Sequence, residues 1–542
     1  MKRIDRASRT AALLATACAL LGMAATPADA RTDISPYVEV NQVLAFDLSN
    51  NDAFGDDVVT YTSVAAGIDG TVQTRRIEVG ASYRYERRID WSDDLANDDV
   101  HSGVVRGRVN VARGLSLEAG AMAARARTEA GGGGLGFGVG DNDNVSQVYA
   151  LYAGPTVSAN AGPLEFGAGY RVGYTHVEDN LAANTTPGQE EVDYVDHTTT
   201  HQATASVGMA PGGELPFGWI ASAGYEREDA SQLDQTYEGY HARLDVTVPV
   251  SPTLALLGGV GYENIEISQR DILVDAGGNP ILDNNGRFQE DPNAPRLLAY
   301  ETDGFIYDAG ILWRPNPRLE ASARVGHRYD STVYNGYLSY ATSENSGVNL
   351  SVYNTISSFG RSTVDTLAGL PTDFNANRGP FGEFDGCVFG DAGAGGCFDT
   401  GFQSLNGSNF RSRGANLVWS AGRGPWSYGV GAGYAHRRYL APDDAADFNL
   451  DGVTDENFYL NASLARQLTP VSSIDGQLFA NWYESGIPGA ADAFGAGAAT
   501  TYSLNLYRGL SAQASAGLYV NDLEGEPADW LGSLALGVRY GF

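Results

Sequence analysis

Asp447, Asn449, Asp451, Gly452 and Asp455 read D-x-N-x-D-G-x-x-D. That is the front of a calcium loop, where oxygen ligands alternate around a glycine turn. The twelfth position, which should supply a bidentate carboxylate, is Phe458, and Phe458 opens an alternating strand. Two readings stay open: a calcium site on Asp447, Asn449, Asp451 and Asp455, or an acidic turn. Apart from such an ion, no cofactor is expected.

Cys387 and Cys397 are the only cysteines after residue 30 and lie ten positions apart in a glycine-rich stretch. In an exported chain their default is a disulfide closing a small surface loop, with free thiols as the alternative. A metal role would need further ligands, and none is nearby. His197 and His201 have metal-chelating spacing on a helix. On a strand, four residues span roughly 13 Å, too far to share one ion. The remaining histidines form no set with Ser or Asp, so no enzyme is expected.

Arg76, Arg84, Arg88, Arg106, Arg108 and Arg171 form a third group, all expected on one wet face. Guanidinium groups there could hold carboxylated or hydroxylated substrates. They could equally pair across strands with neighbours such as Glu78 and Glu86.

The elements that carry these residues are strands. From Arg75 to Arg88, Ile77, Val79, Ala81, Tyr83 and Tyr85 alternate with Arg76, Glu78, Ser82, Arg84, Glu86 and Arg88. Successive strand residues point to opposite faces, so this segment is apolar on one side and charged on the other. It is far longer than the ~5–6 residues usual in globular strands. The length suits a tilted membrane-spanning strand with a lipid face and a lumen face. The same alternation starts near Ile34 and recurs through Val38–Leu48, Leu164–Tyr174, Tyr240–Val248 and Leu510–Val520. Glycines such as Gly429, Gly431 and Gly433 fall on the expected inner face, where they would relieve crowding as a strand curves.

Connections alternate in length. Short turns are expected at Asp69-Gly70, Ala112–Gly114, Asn160–Pro163, Ser251-Pro252, Arg314–Pro317, Gly422–Pro425, Pro470-Val471 and Arg508-Gly509. Longer polar loops are expected at 90–102, 130–143, 178–194, 270–297, 360–412, 441–455 and 485–498. Short periplasmic turns and long external loops mark outer-membrane barrels. The expected fold is therefore all-β, a transmembrane antiparallel up-and-down barrel of about 22 strands, with 18 to 24 allowed.

Lys2, Arg3, Arg6 and Arg9, then apolar Ala11–Leu21, then Ala28-Asp29-Ala30 form a cleavable signal peptide. A lipoprotein anchored at Cys18 is disfavoured, because Ala15 stands where Leu is usual. The mature barrel domain would be 31–542, with a long external loop at about 360–412. With alternation starting at once, no room is expected for an N-terminal plug of the TonB-dependent kind. Without the signal's four basic and two acidic residues, the formal charge goes from −31 to −33. Such a chain does not seek nucleic acid by charge. The acid gathers in the expected external loops, for example Asp93, Asp94, Asp98 and Asp99, or Asp443, Asp444 and Asp447. A mouth of that sign enriches cations within ~8 Å at physiological salt.

All seven tryptophans fall at or near expected strand ends, as interfacial girdles would place them. The last strand puts Trp530, Leu534, Leu536, Val538, Tyr540 and Phe542 on one face and ends the chain on Phe542. Val538, Tyr540 and Phe542 resemble the terminal signal read by the barrel-assembly machinery, an expected partner together with outer-membrane lipid.

The opening Asp33–Val40, the acidic entry to a strand at Asp455–Leu464 and the ending Val538–Phe542 resemble β-barrel porins found near bacterial exopolysaccharide and exosortase (PEP-CTERM) gene systems. The likeness covers nearly the whole mature chain in layout. It implies a role in polysaccharide export and polysaccharide as a partner, and carries over no binding or catalytic residues. The expected function is thus an outer-membrane channel or export pore in a Gram-negative bacterium. The alternative is a structural or adhesive barrel that binds cations and surface polymers through its acidic loops; inward folding of 360–412 would favour it over an open pore.

Overall fold

The computed structural model describes residues 31–49, 58–91, 99–127, 145–178, 195–277, 279–283, 286–379, 381–398, 407–442, 450–486, 491–525 and 527–542. The signal segment, loop 130–143, most of 178–194 and the acidic groups at 92–98 and 443–449 lie outside these residues.

Twenty-two strands form one sheet in which sequential neighbours pair. The sheet closes on itself where Tyr37–Asp47 of the first strand pairs with Leu531–Gly541 of the last. Every ladder is antiparallel. Closure leaves no open edge, the condition for crossing lipid with strands. No helix among the described residues is long and apolar enough to cross a membrane.

The outer surface follows the alternation. Val38, Val40 and Leu44 are exposed on the first strand, while Tyr37, Glu39, Asn41, Val43 and Ala45 between them are buried. On the last strand Trp530, Leu534, Leu536, Val538, Tyr540 and Phe542 are all exposed. A continuous apolar outside on a closed barrel belongs in the outer membrane of a Gram-negative cell, where lipid covers it. Trp219, Trp426 and Trp530 sit at strand starts, and Trp482 near a strand end.

Two expectations about connections are corrected. Asp69-Gly70 is not a turn: the strand Val58–Gln73 runs through it, and the chain reverses at Thr74–Arg76. Gly70 pairs in register with Ile34 on one side and Ala81 on the other, so it is ladder. The second correction is larger. Strands Ser346–Ser357 and Asn409–Arg423 pair directly, and the described residues 358–379 and 381–398 between them lie inside the barrel. They are not an external loop.

That segment starts as helix α1 (Phe359–Gly369) and continues as a small sheet of Asn375–Arg378, Phe384–Phe389 and Gly395–Cys397. Ser358 caps α1: its backbone is extended and its hydroxyl accepts from the Arg361 amide. Phe359, Val364, Leu367 and Leu370 share one helical face, and Pro371 follows the end. With Phe384, Val388 and Phe398 they bury against Val104, Met122, Val148 and Tyr152 of the wall. Large apolar side chains so buried contribute roughly 1.5–3 kcal/mol each.

Candidate functional site

The lumen face is fixed by opposition to the lipid face. Val79, Ala81 and Tyr83 alternate with Gly80, Ser82 and Arg84, and it is the second set that meets the inserted segment. Glycines make room for it. A methyl group on Gly173 would lie 2.8 Å from Val364 of α1, and one on Gly431 would overlap the Cys397 sulfur. Gly80, Gly120 and Gly429 face Phe374, Leu367 and Phe389 in the same way. The expected reason for inner-face glycines, relief of strand crowding, is therefore incomplete: they are the floor on which the segment lies.

Ion pairs and hydrogen bonds pin the segment around the wall. At the long-loop end Arg361 donates to Glu228 (Nε–Oε2 2.9 Å) and Asn409 (2.7 Å), with its guanidinium 3.5 Å from the Tyr237 ring centroid. Lower down, Arg171 reaches Asp365 at 2.8 Å. At the short-turn end Gln73 donates to the Thr372 carbonyl (3.2 Å) and Arg378 to Ser82 (2.8 Å). The Phe384 amide donates to Ser102 (2.6 Å), and the Gly393 amide to Ser420 (2.9 Å).

Two kinds of space remain. A polar vestibule of about 1000 Å³ opens near the short turns, with Asp33, Asp69, Arg378, Asp475 and Arg539 among its lining. Elsewhere in the lumen Phe381 of the segment packs with Tyr61 and Tyr519 in an apolar cluster, and Phe479 packs alongside. The Phe381 and Phe479 rings lie 6.5 and 6.2 Å from Tyr519.

Of the expected lumen arginines, Arg76 sits exposed in the turn before Ile77 and not on the wall. Arg84 is buried between Glu39 (2.8 Å) and Glu86 (3.1 Å), and Glu86 also accepts from Arg88 (2.9 Å). Arg106 and Arg108 share Glu118 at 3.6 and 3.8 Å, and Arg106 donates to Tyr152. Arg171 is taken by Asp365. Cross-strand pairing thus holds Arg84, Arg106 and Arg108, as it does Arg324, which bridges Asp245 (2.7 Å) and Asp308 (2.9 Å), whereas Arg88 pairs within its own strand and Arg171 with the inserted helix. Arg361, Arg378, Glu228 and Asp365 tie the segment to the wall and were missed, because their role depends on a segment read as lying outside.

Cys387 and Cys397 form a disulfide with Cα atoms 4.2 Å apart. It is buried in the lumen against Val418 and Tyr459, not at the surface. Asp455 is also not free for an external ion: it accepts from Arg437 (3.0 and 2.8 Å), Tyr439 (2.9 Å) and Tyr483 (3.2 Å). Asp451 accepts from the Ala441 amide at 3.4 Å; Asp447 and Asn449 lie outside the described residues. No group of three or more His, Cys, Asp or Glu is placed to hold a metal ion among the described residues. His201 bonds Tyr170 (2.8 Å) and His197 stacks on Tyr174, both on outer-face rows.

At the long-loop rim Asp196 accepts from His197 (2.9 Å), lies 3.2 Å from His176, and pairs with Arg287 at 2.9 Å. Burial opposes its charge, but those hydrogen bonds and the Arg287 guanidinium outweigh it and hold the carboxyl far below the ordinary range.

No family model matches this chain, and no curated protein matches it in sequence. The resemblance to exopolysaccharide-associated porins gains no support from these comparisons. Among solved structures it is similar to the ferric-catecholate import receptor Fiu of E. coli K12 in its open form. That match has 10% identity and a TM-score of 0.47, covering 94% of this chain and 82% of that one. It is also similar to the FrpB iron transporter of Neisseria meningitidis, F3-3 variant (11%, TM-score 0.42, 94% and 82%). A third is the siderophore receptor PirA of Acinetobacter baumannii (7%, TM-score 0.41, 94% and 81%).

Proposed function

We propose that this chain is a porin-like transport barrel of the outer membrane whose passage is held shut by its own residues 358–398. The position of that segment carries the reading. It crosses the lumen from the long-loop rim to the short-turn end, and both its ends return to one rim. A barrel of this strand number would otherwise enclose a wide aqueous bore. The segment is held by side-chain ion pairs, hydrogen bonds and apolar contacts, so it can leave without breaking the ladders of the wall. A purely structural barrel needs no polar vestibule beside the segment.

The test is single-channel conductance of the purified protein in planar bilayers. It is compared with a variant in which 360–406 is replaced by a short Gly-Ser linker. The wild type should stay closed with rare openings, and the variant should conduct steadily. Acidic and neutral oligosaccharides titrated into the open variant probe the polysaccharide reading. Steady wild-type conductance equal to the variant's would sink the closure. A folded but silent variant would favour the structural, polymer-binding alternative.

A further inference from the structure

On strands Asn409–Arg423 and Trp426–Leu440, Arg411 lies directly opposite Arg438, and Arg413 directly opposite His436. Residues so paired point to the same face, so three guanidinium groups and an imidazole share one patch. That face is the outer one. Its rows continue downward through Tyr434 and Phe458, whose ring centroids are 4.5 Å apart, and Phe458 is exposed. Interfacial aromatic rings mark headgroup level, which sets the basic patch at the outer edge of the lipid zone.

The patch forms one side of a pocket of about 690 Å³, with Tyr300 and Tyr329 on the other. Like charges directly opposite destabilise a sheet, and here they are not neutralised. Arg411 is spent on Asn354 (3.1 Å) and Ser331. Among the described residues Arg413, Arg438 and His436 make no ion pair and no hydrogen bond. Two carboxylates line the pocket, and each accepts elsewhere: Asp330 from Thr302 at 3.3 Å and Asp451 from the Ala441 amide at 3.4 Å. Glu456, opposite His436, accepts from Tyr434 (3.0 Å).

Carboxylates are not scarce in this chain, with 66 Asp and Glu against 35 Lys and Arg. On the inward face of the same strand Arg437 is matched by Asp455 (2.8 Å). The inward arginine is neutralised and the outward ones are left bare. Guanidinium forks match the oxygens of phosphate, and several cations around one cavity suit a ligand with more than one negative charge.

We propose that this pocket binds phosphate groups at the external rim, carried by an outer-leaflet phosphoglycolipid headgroup or by a soluble phosphorylated solute.

The test uses the full protein in phosphate-free detergent, titrated calorimetrically with sodium pyrophosphate. In parallel, nanodiscs with diphosphorylated or dephosphorylated lipid A are scored for lipid retained after re-extraction. The variants are Arg413→Gln, Arg438→Gln and the double, with Arg466→Gln near the short-turn end as control. Loss of one charged hydrogen-bond donor should weaken binding about tenfold or more. Because Arg413 and Arg438 have no partner among the described residues, the variants should unfold no earlier than wild type on heating, whereas a merely structural role would lower the midpoint. Pyrophosphate binding lost in the variants supports a soluble source. Retention confined to diphosphorylated lipid and lost in the variants supports a headgroup. No binding of either probe, or equal binding by wild type and the double variant, overturns the proposal.

Discussion

Arg361 of helix α1 and Glu228 of the barrel wall meet at 2.9 Å with both side chains almost fully withdrawn from solvent, at 2% and 3% relative exposure. Removing one partner of such a pair strands the other as a buried charge, which costs about 3–5 kcal/mol. Arg361→Ala should therefore undock the start of the inserted segment and raise the frequency of channel openings. Replacing both residues with apolar ones of similar volume should restore much of the closure. Bilayer recordings of the single and double variants decide it, and equal opening rates in all forms would remove this pair from the closure.

The lumen glycines give a second handle. Val364 lies against Gly173, and the disulfide against Gly431. Gly173→Val and Gly431→Val should displace the segment while leaving the wall to fold. The expected signature is steady conductance from a protein that still shows the heat-modifiable migration of a closed barrel. A barrel that fails to form would mean the glycines serve the wall instead.

The Cys387–Cys397 bond closes a short loop within the small sheet. In the chain-entropy estimate such a loop contributes about 3 kcal/mol. Cys387→Ser with Cys397→Ser should leave the barrel's thermal midpoint in place and make single-channel traces noisier, because the restraint acts on the segment and not on the ladders. A lowered barrel midpoint would contradict this.

Asp196 ties loop 270–296, through Arg287, to the rim of neighbouring strands. Its folded carboxyl titrates below the unfolded value of ~3.9, so the tether's contribution is complete above that pH and is lost as pH falls further toward the folded value. Between pH 5 and 8 the carboxylate contribution should not vary. Asp196→Asn should open the loop at neutral pH and speed trypsin cleavage after Arg287 roughly tenfold, in line with one lost hydrogen bond to a charged group. Unchanged cleavage would show the loop to be held elsewhere.

Metal removal separates the two readings of the acidic stretch 447–455. With Asp455 committed to Arg437, chelation with EGTA should leave the unfolding temperature unchanged, whereas Asp455→Ala should lower it by stranding the buried Arg437 guanidinium. A stabilising shift on adding calcium would return Asp447, Asn449 and Asp451 to the role of ligands.

The wall was legible because a strand with one lipid face repeats its rule every second residue, so Val38–Leu44 and Leu534–Tyr540 announce their faces without any partner. The inserted segment was not, because glycine-rich sequence between two strands reads as loop by composition. A signal was nevertheless present. Phe359, Val364, Leu367, Leu370, Phe374, Phe384, Val388 and Phe398 are too many large apolar residues for a connection bathed in water. Gly80, Gly120, Gly173, Gly429 and Gly431 lined the complementary face. Neither half can be interpreted alone, since both are contact surfaces defined only by each other. The lumen arginines were visible as charge, but their partners Glu39, Glu118 and Asp365 come from register and from the insert, which one sequence does not set out.

Strands Ser346–Ser357 and Asn409–Arg423 stay zipped in twelve consecutive register pairs on either side of the segment that leaves and re-enters between them. On the proposed closure, the segment is therefore a captive ligand of its own barrel. Released, it cannot diffuse away, and it faces its binding surface at an effective concentration in the millimolar range or above, as short tethers give. Recapture is unimolecular, indifferent to how many copies crowd the membrane. Any opening is a race between passage of solute and the return of a partner that is always within reach.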